Sequence, residues 1–176
     1  PPMFSRIPVR TLGLALFAVC AALLAVGLYL QHIKGIEPCP MCIMQRYAFL
    51  VVALLALLGG VHGPKRRGSR IYAALIGVAA LTGASIAARQ SWMQLYPPAI
   101  PECGPGLEFM LGSFPLAEAL PMIFRGANDC VAVDWTFLGL SIANWSLLTF
   151  TATIVFALWM LLRPQNLPKK HVNPIK

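Results

Sequence analysis

Four stretches of the chain are continuously apolar, with neither the alternation of a half-buried strand nor the polar stripe of a helix lying on a soluble core. They cover about residues 11–31, 43–61, 71–88 and 145–162. Each is close to the roughly 20 helical residues, at about 1.5 Å per residue, that cross a bilayer. A membrane barrel would instead need alternating segments of about ten residues. The pattern predicts an all-α membrane protein: a bundle of four transmembrane helices in a single domain over 1–176, with connecting loops at about 32–42 and 89–144.

Composition agrees, because a chain with 58% hydrophobic and 11% charged residues cannot surround itself with a water-soluble surface. The first apolar run follows Arg6 and Arg10 and carries Cys20. It is too long for the apolar core of a signal peptide and lacks a small-x-small cleavage site, so it is expected to be retained. Val19 stands before Cys20 where a lipoprotein signal would have a small residue.

Charge gives the bundle a direction. Arg6 and Arg10, the run Lys65, Arg66, Arg67 and Arg70, and Arg163, Lys169, Lys170 and Lys176 all fall in the two tails and the second loop, where there is no acid. Glu37, Glu102, Glu108, Glu118, Asp129 and Asp134 all fall in the first and third loops. The positive-inside rule then puts both termini in the cytoplasm and the acidic loops across the membrane. The net charge of +8 is thus topological, and nothing points to nucleic acid.

The cysteines follow the same division. Cys39 and Cys42 lie in the first outer loop, Cys103 and Cys130 in the third, and Cys20 alone lies within a span, where it is expected to pack. Four cysteines on the oxidising side allow two disulfides. The long third loop is broken by Pro97, Pro98, Pro101, Pro105, Pro115 and Pro121, which argues against a long helix there. Between these prolines are Phe109, Met110, Leu111, Phe114, Leu116 and Ile123, dense enough in apolar surface for short interfacial helical segments or for a cap on the bundle. Trp135, Phe137 and Leu138 are a second candidate anchor.

Candidate chemistry centres on Cys39-Pro40-Met41-Cys42. Pro38 and Pro40 disfavour helix at the residues before them, which predicts that the second span starts near Met41 or Cys42. Cys42 then sits at a helix N-terminus with Arg46 one turn on, and both effects favour its thiolate. Arg46 is the sole charge within the four apolar runs and a functional candidate for that reason; the alternative is that it snorkels to the headgroups. Haem attachment is disfavoured because Ile43 follows Cys42 where a histidine is required. Zinc held by four thiolates is stereochemically possible, although no metal is expected. Cys103 and Cys130 can be read as a plain structural staple or as an exposed, attackable disulfide.

Taken together, Pro38-Cys39-Pro40-Met41-Cys42-Ile43-Met44-Gln45-Arg46, the stretch Ala88-Arg89-Gln90-Ser91-Trp92-Met93-Gln94, the Cys103 region, and Asp129-Cys130 followed by Trp135 and Trp145 resemble the DsbB family of bacterial inner-membrane thiol oxidases. The resemblance covers essentially the whole chain. It implies a redox role for the second cysteine pair, a quinone (ubiquinone or menaquinone) as electron acceptor, and a periplasmic DsbA-like thiol oxidase as partner. It further implies that Cys103 is attacked by the partner and pairs with Cys130. Cys130 then exchanges with Cys39, while Cys42 faces the quinone with Arg46 beside it. Some family members carry a histidine where this chain has Gln90; Gln90 and Gln94 can donate hydrogen bonds to a quinone oxygen but cannot supply a proton. The energetics fit such a relay. DsbA is already a strong oxidant at about −120 mV, and about 30 mV is worth roughly 1.4 kcal/mol, so a lipid-soluble acceptor is needed to draw the exchange forward. The competing classes are a tetraspan scaffold with two structural disulfides and a small transporter using Thr82, Ser85, Thr149, Thr151 and Thr153.

Overall fold

The computed structural model of the chain describes residues 7–97, 107–125, 128–133 and 135–163. Its four long helices are α1 (Val9–His32), α2 (Pro40–His62), α3 (Arg66–Leu95) and, after the connecting segment, α7 (Ile142–Leu162). All four are long and apolar enough to cross a membrane. The chain is thus an all-α membrane protein built on a four-helix bundle.

The helix ends follow local chemistry. At the start of α2, Cys39 is the N-cap and its sulfur accepts from the Cys42 amide, while Pro40 takes the first helical position, where its missing N–H costs nothing. At the far end Gly63 closes α2 in the left-handed conformation (φ 58°), which a side chain would strain. Ser141 caps α7 by accepting from the Asn144 amide. The helix α3 is longer than its apolar run: it begins at Arg66 and continues through Arg89 to Leu95. A helix that leaves the apolar layer keeps its backbone bonds, so the end of the apolar run does not end the helix.

The helices pack in the order α1 on α2, α2 on α3 and α3 on α7. The centre is filled by Cys20, Phe49, Val52, Ala80 and Phe150, with the Phe49 and Phe150 rings stacked at 4.1 Å between centroids. Cys20 is fully buried in this core. Large apolar side chains such as Val19, Leu54, Leu58, Val78, Leu81 and Val155 face outward, as expected where lipid replaces water as the solvent. At one end Gly13 lets α1 lie directly on α2: a Cβ there would stand 2.8 Å from the Ala56 carbonyl oxygen and 2.9 Å from Gly60 Cα. Thr82, Ser85, Thr149, Thr151 and Thr153 all donate to carbonyls of their own helices at 2.7–3.1 Å. Their donors are used locally, so they do not form a polar path through the bundle.

Between α3 and α7 come three short helices, α4 (Leu107–Ser113), α5 (Leu116–Arg125) and α6 (Asn128–Val131), then a hairpin of β1 (Thr136–Phe137) and β2 (Leu140–Ser141). Its two strands are antiparallel, with Thr136 opposite Ser141 and Phe137 opposite Leu140. Pro121 lies inside α5, a ten-residue helix where proline content argued against a long one. One side of α4 and α5 packs inward through Met110, Ala119 and Ile123 against Met44, while Phe109, Leu111 and Leu116 stay exposed. This amphipathic pair therefore both caps the bundle and presents an apolar face outward. Leu138 is at the hairpin tip, 77% exposed with φ 52°, beside Gly139 at φ 78°.

Candidate functional site

The cysteine end of the bundle gathers three sulfurs. Cys39 is placed by the α2 N-cap, Cys42 by the first turn of α2, and Cys130 by α6, which packs on α2 and α3. The Cys39 thiol donates to Cys42 Sγ at 3.1 Å and is also hydrogen-bonded to the Cys130 side chain. Cys39 and Cys130 are buried with Met41, Ile86 and Met93 around them, whereas Cys42 is partly exposed. The hydrogen bond with Cys130, then that with Cys42, then burial all hold Cys39 above the usual thiol range. Cys103, expected beside Cys130, lies outside the described residues, as does Asp134.

A layer of carboxamides lies against these sulfurs. Gln90, on the part of α3 beyond its apolar run, donates through Nε2 to Cys42 Sγ at 3.3 Å and to Cys39 Sγ at 3.4 Å. Its Oε1 accepts from Gln45 Nε2 at 2.7 Å and from the Cys42 thiol at 3.7 Å. Gln45 is only 2% exposed. Gln45 was not singled out from sequence, although it is three residues after Cys42 and so on the same helix face that drew attention to Arg46.

Arg46 is bonded to α1 rather than to the amide layer. Its guanidinium donates to the Gly27 carbonyl at 3.0 Å and to Gln31 Oε1, both on α1. Gly27 makes room for it: a Cβ there would be 3.4 Å from Arg46 Nε. The charge is thus held by a carbonyl and an amide oxygen rather than reaching out to the headgroups. Gln94 is tied differently, accepting from Ser141 Oγ at 2.7 Å, which leaves its N–H groups as donors.

Cys42, Gln45, Arg46, Gln90 and Gln94 all line one cavity of about 320 Å³. Its walls come from α1 (Leu23, Gly27, Leu30), the turn before α2 (Ile36, Pro38), Phe49 on α2, and the α7 region (Trp135, Phe137, Trp145). Phe137 and Trp145 are joined by a bond from Trp145 Nε1 to the Phe137 carbonyl at 3.0 Å, with Trp135 stacked on Phe137. A cavity of this size with apolar walls and polar groups converging at one side matches a small-molecule site. Its polar side carries a sulfur, amide donors and a guanidinium, and so suits a planar apolar ring with carbonyl oxygens. No group of three or more histidine, cysteine or acidic side chains is disposed to hold a metal among the described residues.

The model of the family described as "Disulfide bond formation protein DsbB" matches residues 9–160 of the chain. Disulfide bond formation protein B of Azoarcus sp. (strain BH72) is 70% identical over 152 residues, which cover 86% of this chain and 92% of that protein. The protein of the same description from Aromatoleum aromaticum (strain DSM 19018 / LMG 30748 / EbN1) is 68% identical over 89% of this chain and 95% of its own length. That from Hahella chejuensis (strain KCTC 2396) is 44% identical over 89% and 96%. With the match spanning all four long helices and the cysteine cluster, the chain belongs to the DsbB family of disulfide bond formation proteins.

Proposed function

We propose that this membrane protein is a quinone-reducing protein-disulfide oxidoreductase that reoxidises a DsbA-like periplasmic dithiol oxidase. The observation that carries the reading is the position of Cys42: it is in hydrogen-bond contact with Cys39, which itself touches Cys130, and it opens onto the apolar cavity. A chain of sulfurs thus leads from the connecting segment to a site for a lipid-soluble ring. The segregation of basic and acidic residues supports a multi-pass protein of the bacterial inner membrane with cytoplasmic termini and periplasmic cysteine loops.

In the proposed sequence a thiolate of the reduced partner attacks Cys103 in a Cys103–Cys130 disulfide. The mixed disulfide resolves to oxidised partner and the Cys103/Cys130 dithiol. Cys130 next attacks Cys39 of a Cys39–Cys42 disulfide, with Cys42 as the leaving sulfur, and Cys103 resolves the Cys39–Cys130 bond. The pair Cys103–Cys130 is then oxidised again, and Cys39 and Cys42 hold the two electrons and two protons taken from the partner. Held among Cys42, Arg46, Gln90 and Gln94, a quinone would supply the acceptor for those two electrons and two protons, which would restore the Cys39–Cys42 disulfide.

The residues around the cavity have distinct tasks in this scheme. The N–H groups of Gln90 and the start of α2 favour negative charge on sulfur, so Cys42 leaves readily. Arg46 and the N–H groups of Gln94, which have no hydrogen-bond partner among the described residues, offer donors to carbonyl oxygens of the acceptor. Apolar walls exclude water and hold the ring.

The test is to mix the purified protein with a reduced periplasmic dithiol oxidase and a soluble quinone, following quinone absorbance. One quinol per partner disulfide is expected. Partner oxidation that leaves the quinone untouched would overturn the assignment of the acceptor, and no oxidation of the partner would overturn the assignment of the donor.

A further inference from the structure

Gln45 and Gln90 are both nearly fully buried, at 2% and 3% exposure, and they share one short hydrogen bond on which the orientation of the second amide depends. A carboxamide has a donor end and an acceptor end of nearly the same shape, so its neighbours decide which end points where. Gln45 Nε2 donates to Gln90 Oε1 at 2.7 Å. This turns the Gln90 N–H groups onto Cys39 and Cys42 at 3.4 and 3.3 Å. If Gln90 were turned over, its carbonyl would face the sulfurs and its NH₂ would meet the NH₂ of Gln45. That arrangement sets donor against donor and a partial negative charge against any thiolate.

We propose that Gln45 is a positioning residue for the redox pair: it fixes the Gln90 carboxamide with its donors toward Cys39 and Cys42, and thereby stabilises the dithiol in its thiolate form. The inference rests on the redox role of the pair proposed above and adds to it a residue that acts on the sulfurs through its hydrogen bond to Gln90. Burial makes the effect strong, because water is not available to replace a lost donor. A hydrogen bond to a charged group is worth more than a neutral one, so loss of the Gln90 donors should be felt mainly when sulfur carries charge. The amide pair itself does not titrate. Among the described residues, the ionisable groups beside it or lining the same cavity are Cys39 and Cys42 of the α2 start, Cys130 of α6, Arg46 one residue along α2, and Glu37 of the turn before α2.

Gln45→Glu is the sharpest variant, since it changes the shape hardly at all but replaces the donor by an acceptor. Gln90 must then turn over to donate to the introduced carboxylate, which brings its carbonyl to the sulfurs. The thiolate absorbance of the reduced protein, titrated against pH without quinone, should move to higher pH, and thiolate at neutral pH should fall about tenfold, the scale of one charge-assisted hydrogen bond. In turnover kcat should fall more than the KM for quinone rises. Gln45→Met, which removes the donor without adding charge, should give a smaller shift in the same direction. Added to Gln90→Met, it should give no further shift, because the amide it orients is already gone.

An unchanged titration in Gln45→Glu, or additive effects in the double variant, would overturn the proposal even if both proteins fold and turn over quinone. The titration uses no quinone, so its result stands whether or not the acceptor is correctly assigned. Thermal unfolding of each variant separates a packing defect from this effect: a change in melting alone, with the titration unmoved, also counts against it.

Discussion

At one end of the bundle α1 and α2 meet backbone to backbone, and at the other the same two helices are bridged by an arginine side chain. Around Gly13, Ala56 and Gly60 a single added carbon would collide with main-chain atoms at 2.8–2.9 Å, and the cavity there is only about 30 Å³. Around Gly27 and Gln31 the guanidinium of Arg46 fills the crossing, and the cavity beside it is about 320 Å³. The closed end is also tied by polar bonds across helices, from Arg10 to the Val61 carbonyl at 3.1 Å and from Arg163 to the Ile7 carbonyl at 3.0 Å. One pair of helices thus meets in two ways: small residues make a clamp, and a long cation spans the crossing beside a larger cavity without leaving a charge unpaired in an apolar layer.

Removing the arginine should produce the largest effect on this contrast. Arg46→Ala deletes the donors to Gln31 and Gly27 and a donor to the cavity, and hydrogen bonds to charged groups contribute about 1.5–3 kcal/mol each. Turnover at low quinone concentration should fall by about tenfold to a hundredfold. Arg46→Lys should restore part of it, since charge remains but the planar fork is lost. The check is initial rate against quinone concentration; an unchanged apparent affinity would mean that the arginine serves only the helix crossing.

The two cysteines of α2 provide the next contrast. Cys39 is buried and held above the usual thiol range by its bonds with Cys130 and Cys42 and by burial, so its thiolate fraction grows only at more alkaline pH. In the reduced protein at neutral pH a thiol-alkylating reagent should therefore label Cys42 at least about tenfold faster than Cys39, because only the thiolate reacts. Peptide mapping after a short pulse reads this ratio, and equal labelling would contradict it.

At the closed end the expected change is in stability rather than turnover. Gly13→Ala gains about 0.5–1 kcal/mol of helix propensity, but overpacking against main chain costs about 1–3 kcal/mol, so the collision wins. The variant should melt lower and still oxidise its partner once folded. The smallest effect is expected at Thr151→Ala, where an exposed hydroxyl bonds the Leu147 carbonyl of its own helix; stability should change by no more than about 0.5 kcal/mol. A large loss of activity there would revive a polar route through the bundle.

The two ends also differ in how far they could be read in advance. The four spans were legible because apolar runs of bilayer length have few other uses. The ends of α3 were not, since Arg66–Arg70 is basic and Arg89–Leu95 breaks the apolar run with Arg89, Gln90, Ser91 and Gln94, yet Gln90 and Gln94 stand on the latter extension. Proline content argued for short helical pieces in the connecting segment, and α4, α5 and α6 are such pieces, with Pro121 accommodated inside α5. Arg46 stood out as a charge in an apolar run, but its partners on α1 are 15 and 19 residues away in sequence and only the helix crossing reveals them. Gln45 was missed because a neutral amide gives no such contrast; its spacing from Cys42 was the available signal.

The most direct measurement is a single turnover of the prereduced protein with a soluble quinone, without partner and without oxygen. If Cys42 faces the acceptor and the Cys39–Cys42 pair delivers the electrons, Cys130→Ser should still yield one quinol per protein, whereas Cys42→Ser should yield none. Quinol formed by Cys42→Ser, or its absence in Cys130→Ser, would contradict the proposed route.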